Sequence, residues 1–337
     1  MGQKTKIIIT GASGFLGGRT ATFFAQNFLQ HEIIATSRST SKKTKLEALG
    51  CTFIPGDLSD ENFCLSLTEN AEIVIHCAAL SSPYGKFQDF YSSNIVATQN
   101  LVTASKFNGV KKFIFISTPS IYVTLFDRFD VSENDPLPNK SVNDYAKTKL
   151  IAENYVLSEN CLSFSTIALR PRAIIGAEDT VIFPRVFEAY NKGKLKVIGD
   201  GQNICHLTCA RNVIEAMVCA INANENAFGQ AYNITDGAPV NFWETLNGAL
   251  SQLGHEPIQK KVNKKIAMFA ASMIENIHKI FFPTKEPAIT KYGIAILSDN
   301  FTLDISKAKK LLHYKPVMSS QEGINEFIEW YKKTKLN

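Results

Sequence analysis

The 337-residue chain has no CxxC pair among its seven cysteines, twelve prolines, two tryptophans, and a net charge of only +5 from 36 basic and 31 acidic side chains. Each shortage excludes something. An odd cysteine count without paired spacing argues against a disulfide scaffold, and the modest glycine and proline content argues against a collagenous or disordered chain. Small net charge with both signs interspersed gives no electrostatic footprint for nucleic acid. Cys205, His206 and Cys209 fall close together, but their spacing matches no zinc pattern and no second ligand pair follows, so no metal is expected. The first residues run almost directly into Ile7-Ile8-Ile9, without the apolar region and cleavage site of a signal peptide. A reducing, cytoplasmic setting is therefore expected.

What is present is an ordinary hydrophobic fraction, 45 %, enough for one large or two medium domains. Short β-branched runs at Lys6–Thr10, Glu32–Ser37, Thr52–Pro55, Ile73–Cys77, Lys112–Ser117 and Ser163–Leu169 alternate with helix-length segments, among them Asp89–Asn108 and Val142–Glu159. This alternation predicts an α/β fold, a Rossmann-type doubly wound parallel sheet. After about Pro171 the rhythm loosens. Residues 1–171 are expected to form the dinucleotide-binding domain and 172–337 a smaller mixed α/β substrate lobe, with some later elements returning to the first.

Between the first strand and a helical segment lies Gly11-Ala12-Ser13-Gly14-Phe15-Leu16-Gly17. Glycines at these three positions permit a tight turn, close approach of backbone to a pyrophosphate, and close packing of helix on strand. A carboxylate about 20 residues further would accept from the ribose 2′-hydroxyl of NAD(H). Here Ser37 and Arg38 stand in its place. A guanidinium pairs with a 2′-phosphate, so NADP(H) is favoured, with NAD(H) the alternative. Asp57-Leu58 is placed to meet the adenine, although Asp57 could equally cap the helix that follows. Cys77-Ala78-Ala79 offers small side chains against which a cofactor can lie.

Tyr145 and Lys149 are four residues apart, on one face of a predicted helix. A neighbouring ammonium stabilises a phenolate, which would make Tyr145 a proton relay. Thr118, just after the fifth strand, is placed to offer a second hydroxyl to the same substrate oxygen.

Taken together, the glycine turn, Ser117-Thr118-Pro119-Ser120-Ile121-Tyr122, Tyr145-Ala146-Lys147-Thr148-Lys149 and Leu169-Arg170-Pro171 resemble the extended short-chain dehydrogenase/reductase superfamily over essentially the whole chain. The segments His76-Cys77-Ala78-Ala79, Ser82-Pro83-Tyr84-Gly85, Asn94 to Asn100 and Glu286 to Tyr292 resemble its 3β-hydroxysteroid dehydrogenase-like branch. That branch includes sterol-4-carboxylate dehydrogenases and bacterial reductases of long-chain 2-alkyl-3-keto acids. The resemblance implies a catalytic set of Thr118, Tyr145 and Lys149, with Lys149 also holding the nicotinamide ribose, and adds Ser117 and Pro171 to the cofactor contacts. It implies a homodimer through the two long helices, and interconversion of a secondary alcohol and a ketone on a hydrophobic substrate. Cys209 and Arg211 depart from the aromatic or histidine and the acid that relatives carry there. Two other functions compete: a nucleotide-sugar epimerase or dehydratase, for which Arg185 and Arg211 are the candidate diphosphate ligands, and a non-catalytic NADP(H) sensor.

From Lys264 to Phe282 the apolar residues Ile266, Phe269, Ala270, Met273, Ile274, Ile277, Ile280 and Phe281 recur at helical spacing, opposite Ser272, Glu275, Asn276 and Lys279. The segment is too short and too polar to span a bilayer. Two expectations follow: a helix packed on the second lobe's core, or one that covers an apolar cleft and contacts a membrane surface. Lysines 260, 261, 264, 265, 279, 285 and 291 against Glu275 and Glu286 give this region the whole chain's excess of +5.

Overall fold

A computed structural model describes residues 5–282 and 286–335; Lys285 lies outside them, as does the side chain of Lys279. Seven parallel strands form the central sheet. In chain order they are β1 (Thr5–Thr10), β2 (His31–Ser37), β3 (Thr52–Pro55), β4 (Ala71–His76), β5 (Lys112–Ile116), and two further strands at Ser165–Pro171 and Gln230–Ile234. From one edge the spatial order is Gln230–Ile234, Ser165–Pro171, β5, β4, β1, β2, β3. The chain therefore winds outward from β1 in one direction through β3 and reverses at β4. The reversal leaves a crevice at the carboxyl ends of β1 and β4, where ligands bind in open α/β sheets.

The strands are nearly continuous apolar runs because helices cover both faces. One layer of core includes Ile7, Ile9, Phe24, Ile75, Ile114 and Met217. The other includes Ile8, Val74, Leu101, Phe113 and Val156. A third cluster, with Phe183, Phe187, Trp243 and Phe327, is drawn from residues after Pro171. A four-stranded sheet joins Val240–Asn241, Ile204–Cys205 and Phe301–Leu303 to Arg128–Val131, which comes from before Pro171.

Two elements differ from their sequence patterns. The expected helix Asp89–Asn108 is broken into Phe87–Phe90, a π-helical stretch Tyr91–Val96, and Ala97–Phe107. The wide turn seats Asn94, whose side chain accepts from Leu80 N at 2.8 Å and donates to Thr148 Oγ1 at 3.1 Å. Such tertiary hydrogen bonds leave no trace in hydrophobic periodicity.

The second concerns helix Lys264–Phe281, whose apolar stripe does not face the protein. Ala267 and Ala271 form the buried seam, while Ile266, Phe269, Met273, Ile277, Ile280 and Phe281 stand 46–73 % exposed. Glu275, expected on the outer face, is half-buried and receives Lys291 N at 2.7 Å. Small side chains let the helix lie close, so the large ones project outward. The first of the two expectations, a helix packed on the core, holds through Ala267 and Ala271, while the large apolar side chains stay outside that contact.

Candidate active site

The site is built where β1 ends. Gly11 has φ +69°, and a Cβ there would lie 2.8 Å from the backbone nitrogen of Ala78. At Gly17 a Cβ would lie 2.3 Å from the carbonyl oxygen of Gly11. Both contacts are with backbone that cannot rotate away, so the turn is closed to any larger residue. Gly14 is the exposed N-cap of α1 (Phe15–Asn27), whose first turn has no acidic side chain. Its positive end is thus open to an anion. Phe15 and Gly17 are buried, and Ser13 and Leu16 partly so.

The small residues after β4 close the other side of this turn. Ala78 N donates to Thr10 Oγ1 at 3.1 Å, and Thr10 Oγ1 lies 2.8 Å from His76 Nδ1. His76 Nε2 lies 3.0 Å from Thr98 Oγ1, which itself donates to the Asn94 carbonyl. With that hydroxyl's proton so used, Nε2 carries the imidazole hydrogen and Nδ1 accepts from Thr10. Burial, with Lys149 nearby, pushes His76 down to about 3 from its ordinary 6.5. The folded state therefore resists protonation of this ring. His76 costs nothing above about pH 6.5, and stability is lost as pH falls from there toward about 3, by at most about 1.4 kcal/mol per unit. His76→Gln is expected to flatten this slope in thermal unfolding measured between neutral and acid pH.

At the end of β2, Ser37 Oγ donates to Ser39 O, and the exposed Arg38 guanidinium lies 3.8 Å from Asp57. Asp57 accepts from both the backbone and the hydroxyl of Ser59, which, with Arg38, hold it below the usual carboxylate range. It does not cap the next helix, Glu61–Thr68; Asp60 does, accepting from Asn62 N and Phe63 N. Leu58 is buried. Ser117 Oγ after β5 and Thr36 Oγ1 in β2 are buried without a hydrogen-bond partner. The glycine-only cradle and these spare hydroxyls along one edge of the sheet fit an extended dinucleotide. Pro171 closes the neighbouring strand.

Tyr145 and Lys149 project from helix Asp144–Ser158, which Asn143 caps by accepting from Ala146 N at 2.8 Å. Burial raises the Tyr145 phenol, while hydrogen bonds from Thr118 and Ser81 pull in the opposite direction. Thr118 Oγ1 accepts from Ser120 N at 3.1 Å, so its own proton is available to a phenolate or substrate oxygen. Lys149 is buried; its Nζ donates to the Ile116 carbonyl at 2.6 Å and lies 3.9 Å from the centre of the Phe115 ring. Burial lowers it to about 7, against the field of Glu153 one turn along the helix. The expectation that Lys149 lowers the tyrosine needs correction here. The net shift at Tyr145 is upward, and the opposing hydrogen bonds come from hydroxyls, because the ammonium is held on the strand carbonyl.

Four groups at or behind the site escaped the sequence reading. Ser81 meets Tyr145, and Tyr292 OH lies 3.2 Å from Ser120 Oγ. Behind them, buried Glu153 forms a two-point ion pair with Arg170, which also donates to Tyr122. Arg170, Tyr122 and Tyr292 lie in segments that carry the resemblance, but no sequence pattern assigned them these contacts.

Other singled-out side chains are engaged elsewhere. Arg211 pairs with Glu215 at 2.9 Å and stacks on Phe23; Arg185 pairs with Glu286 at 3.2 Å. Cys209 Sγ donates to Asp236, and His206 Nδ1 accepts from Leu303 N. Cys205 is buried. Among the described residues no cluster of three His, Cys, Asp or Glu could hold a metal.

Residues 8–264 match the model of the 3-beta hydroxysteroid dehydrogenase/isomerase family. The chain is 34 % identical over 295 residues to 3beta-hydroxysteroid-dehydrogenase/decarboxylase isoform 1 of Arabidopsis thaliana, covering 84 % of this chain and 67 % of that protein. It is 29 % identical over 324 residues to 2-alkyl-3-oxoalkanoate reductase of Stenotrophomonas maltophilia, covering 95 % and 97 % respectively. Among solved structures, UDP-glucuronic acid 4-epimerase of Bacillus cereus in complex with NAD superimposes with a TM-score of 0.74 at 23 % identity, over 98 % of this chain and 99 % of that one. At that identity the likeness is one of fold.

Proposed function

Because the chain belongs to the 3-beta hydroxysteroid dehydrogenase/isomerase family, and is an NAD(P)-dependent oxidoreductase of CH–OH groups, we propose that it reduces or forms a ketone on a hydrophobic substrate using NADP(H). The observation that carries this reading is Tyr145 one helical turn from buried Lys149, whose Nζ is held on the Ile116 carbonyl at the end of β5, beside a glycine turn whose close backbone contacts suit a dinucleotide. A bound nicotinamide supplies or accepts the hydride. Tyr145 gives its proton to the developing alkoxide in reduction, and takes it back in oxidation. Thr118 orients the carbonyl oxygen with the proton not used on Ser120. Lys149, with its Nζ on the Ile116 carbonyl, offers an ammonium to the ribose.

Substrate class rests on the second lobe. Arg185 and Arg211, the cations a nucleotide diphosphate would need, are each paired with a carboxylate, which disfavours the epimerase reading. The bacterial relative is named for 2-alkyl-3-oxoalkanoates and the plant relative for 3β-hydroxysteroids. A cofactor-consumption screen with sterol ketones, long-chain 3-keto acids and UDP-sugars tests the choice, and turnover confined to UDP-sugars would reverse it.

The outward apolar stripe of helix Lys264–Phe281 suits the interface of the membrane in which such substrates dissolve. No described helix is long and apolar enough to cross one. Lys264 and Lys291 are internally paired, with Asp299 and Glu275, while Lys260 and Lys265 are exposed. The protein is expected to float with anionic liposomes. Serine at Ile266, Phe269 and Ile277 together should weaken that binding more than about tenfold, without slowing turnover of a small water-soluble ketone. Equal flotation of the two proteins would remove the membrane role.

A further inference from the structure

The loop after strand Ile174–Ile175 carries two residues in left-handed backbone, Gly176 at φ +137° and Glu178 at φ +67°. For glycine this is ordinary; for a glutamate it is unfavourable and calls for a reason. The loop is pinned from the first domain: Arg19 donates to Ala177 O at 3.0 Å and pairs with Glu326 at 2.6 Å. Glycine suits position 176 because its φ of +137° strains any residue with a Cβ. Held this way, Glu178 points its carboxylate between Lys42 Nζ at 2.6 Å and Lys45 Nζ at 2.5 Å. The two ammonium groups hold it below the usual carboxylate range against its partial burial.

Those lysines sit close to the cofactor crevice. They follow Arg38 by four and seven residues, and Lys42 Nζ also donates to the carbonyl of Gly14, in the glycine turn, at 3.1 Å. Gly18 keeps open the space the lysine crosses, where a Cβ would meet Nζ at 2.7 Å. A carboxylate held by two lysines beside the end of β2 has the sign of charge and the bridging geometry of a phosphate.

We propose that Glu178 determines cofactor specificity by competing, from the second lobe, with the 2′-phosphate of NADP(H) for Lys42 and Lys45. This rests on the NADP(H) reading above. When the phosphate arrives, the lysines exchange Glu178 for a dianion with more acceptor oxygens, and Arg38 joins them from the strand end. Release of Glu178 subtracts from the gain, so the apparent affinity for NADP(H) is lower than that of the freed lysines. NAD(H), lacking the phosphate, leaves the Lys42–Glu178–Lys45 bridge in place.

The test is a fluorescence titration of the full chain with NADPH and NADH at matched ionic strength, in wild type, Glu178→Gln, Lys42→Met and Arg38→Met, with thermal unfolding of each protein alone. Glu178→Gln should tighten NADPH about tenfold and leave NADH within about twofold, and the tightening should shrink at high salt. Lys42→Met should weaken NADPH and spare NADH. If Arg38→Met weakens NADPH while Glu178→Gln and Lys42→Met do not alter it, Glu178 and the lysines have no part in selection, and the NADP(H) reading stands alone. If wild type prefers NADH and Arg38→Met changes neither cofactor, that reading itself fails. Should Glu178→Gln unfold early, Lys42→Met still decides, because unchanged NADPH binding there overturns the proposal.

Discussion

Tyr145→Phe is expected to lower turnover by about a thousandfold while leaving dinucleotide binding within about twofold of wild type. The substitution removes one oxygen from a half-buried position and adds no volume. Thr118 and Ser81, the two hydroxyls directed at the phenol, would remain to orient a carbonyl, so substrate binding should persist. What disappears is the only proton the account delivers to the alkoxide. Steady-state rates with titrated cofactor binding check this, and a Tyr145→Phe enzyme as fast as wild type would move the proton donor to another residue. Thr118→Ala should fall between the two, because Ser81 still faces the same oxygen.

Alanine at the glycine turn should separate folding from cofactor binding. At Gly17 the new Cβ would lie 2.3 Å from Gly11 O, 2.6 Å from Gly11 C and 2.9 Å from Thr10 O. To relieve this, α1 must move away from β1, against a core containing Ile7, Ile9 and Phe24. Gly17→Ala is expected to cost about 1–3 kcal/mol of stability and to abolish measurable dinucleotide binding. At Gly14 the Cβ would approach only Gly11 O, at 3.2 Å, from an exposed, extended cap position. Gly14→Ala should melt within a few degrees of wild type yet bind cofactor at least about tenfold more weakly, because its methyl would crowd the open N-terminus of α1 that suits a pyrophosphate. Thermal unfolding with and without cofactor distinguishes the two. A Gly17→Ala protein that melts and binds like wild type would contradict the close packing of helix on strand.

The sheet was legible because strands covered on both faces read as continuous apolar runs, and the glycine turn because three glycines follow the first of them. Tyr145 and Lys149 were legible because a helix places residues four apart on one face. The same rule did not show where the lysine's nitrogen goes, since the Ile116 carbonyl is supplied by a strand 33 residues away. Ser81, Tyr292 and the Glu153–Arg170 pair were hidden for the same reason: each meets its partner only through tertiary folding. Helix Lys264–Phe281 shows a different limit. Periodicity revealed two faces, but which one met the protein was decided by the size of Ala267 and Ala271. The acid after β3 was ambiguous between two roles, and local hydrogen bonding resolved the cap in favour of Asp60.

The central claim, hydride transfer to a hydrophobic ketone with Tyr145 as proton donor, is tested most directly by following an isotope. The protein is incubated with NADPH carrying deuterium at the transferable C4 position and with a sterol ketone or a long-chain 3-keto acid, and the product is read by mass spectrometry and NMR. One deuterium is expected on the new carbinol carbon for each cofactor oxidised, with the signal lost in Tyr145→Phe. No deuterium in any such product, together with conversion of a UDP-sugar that leaves the cofactor unconsumed, would contradict it.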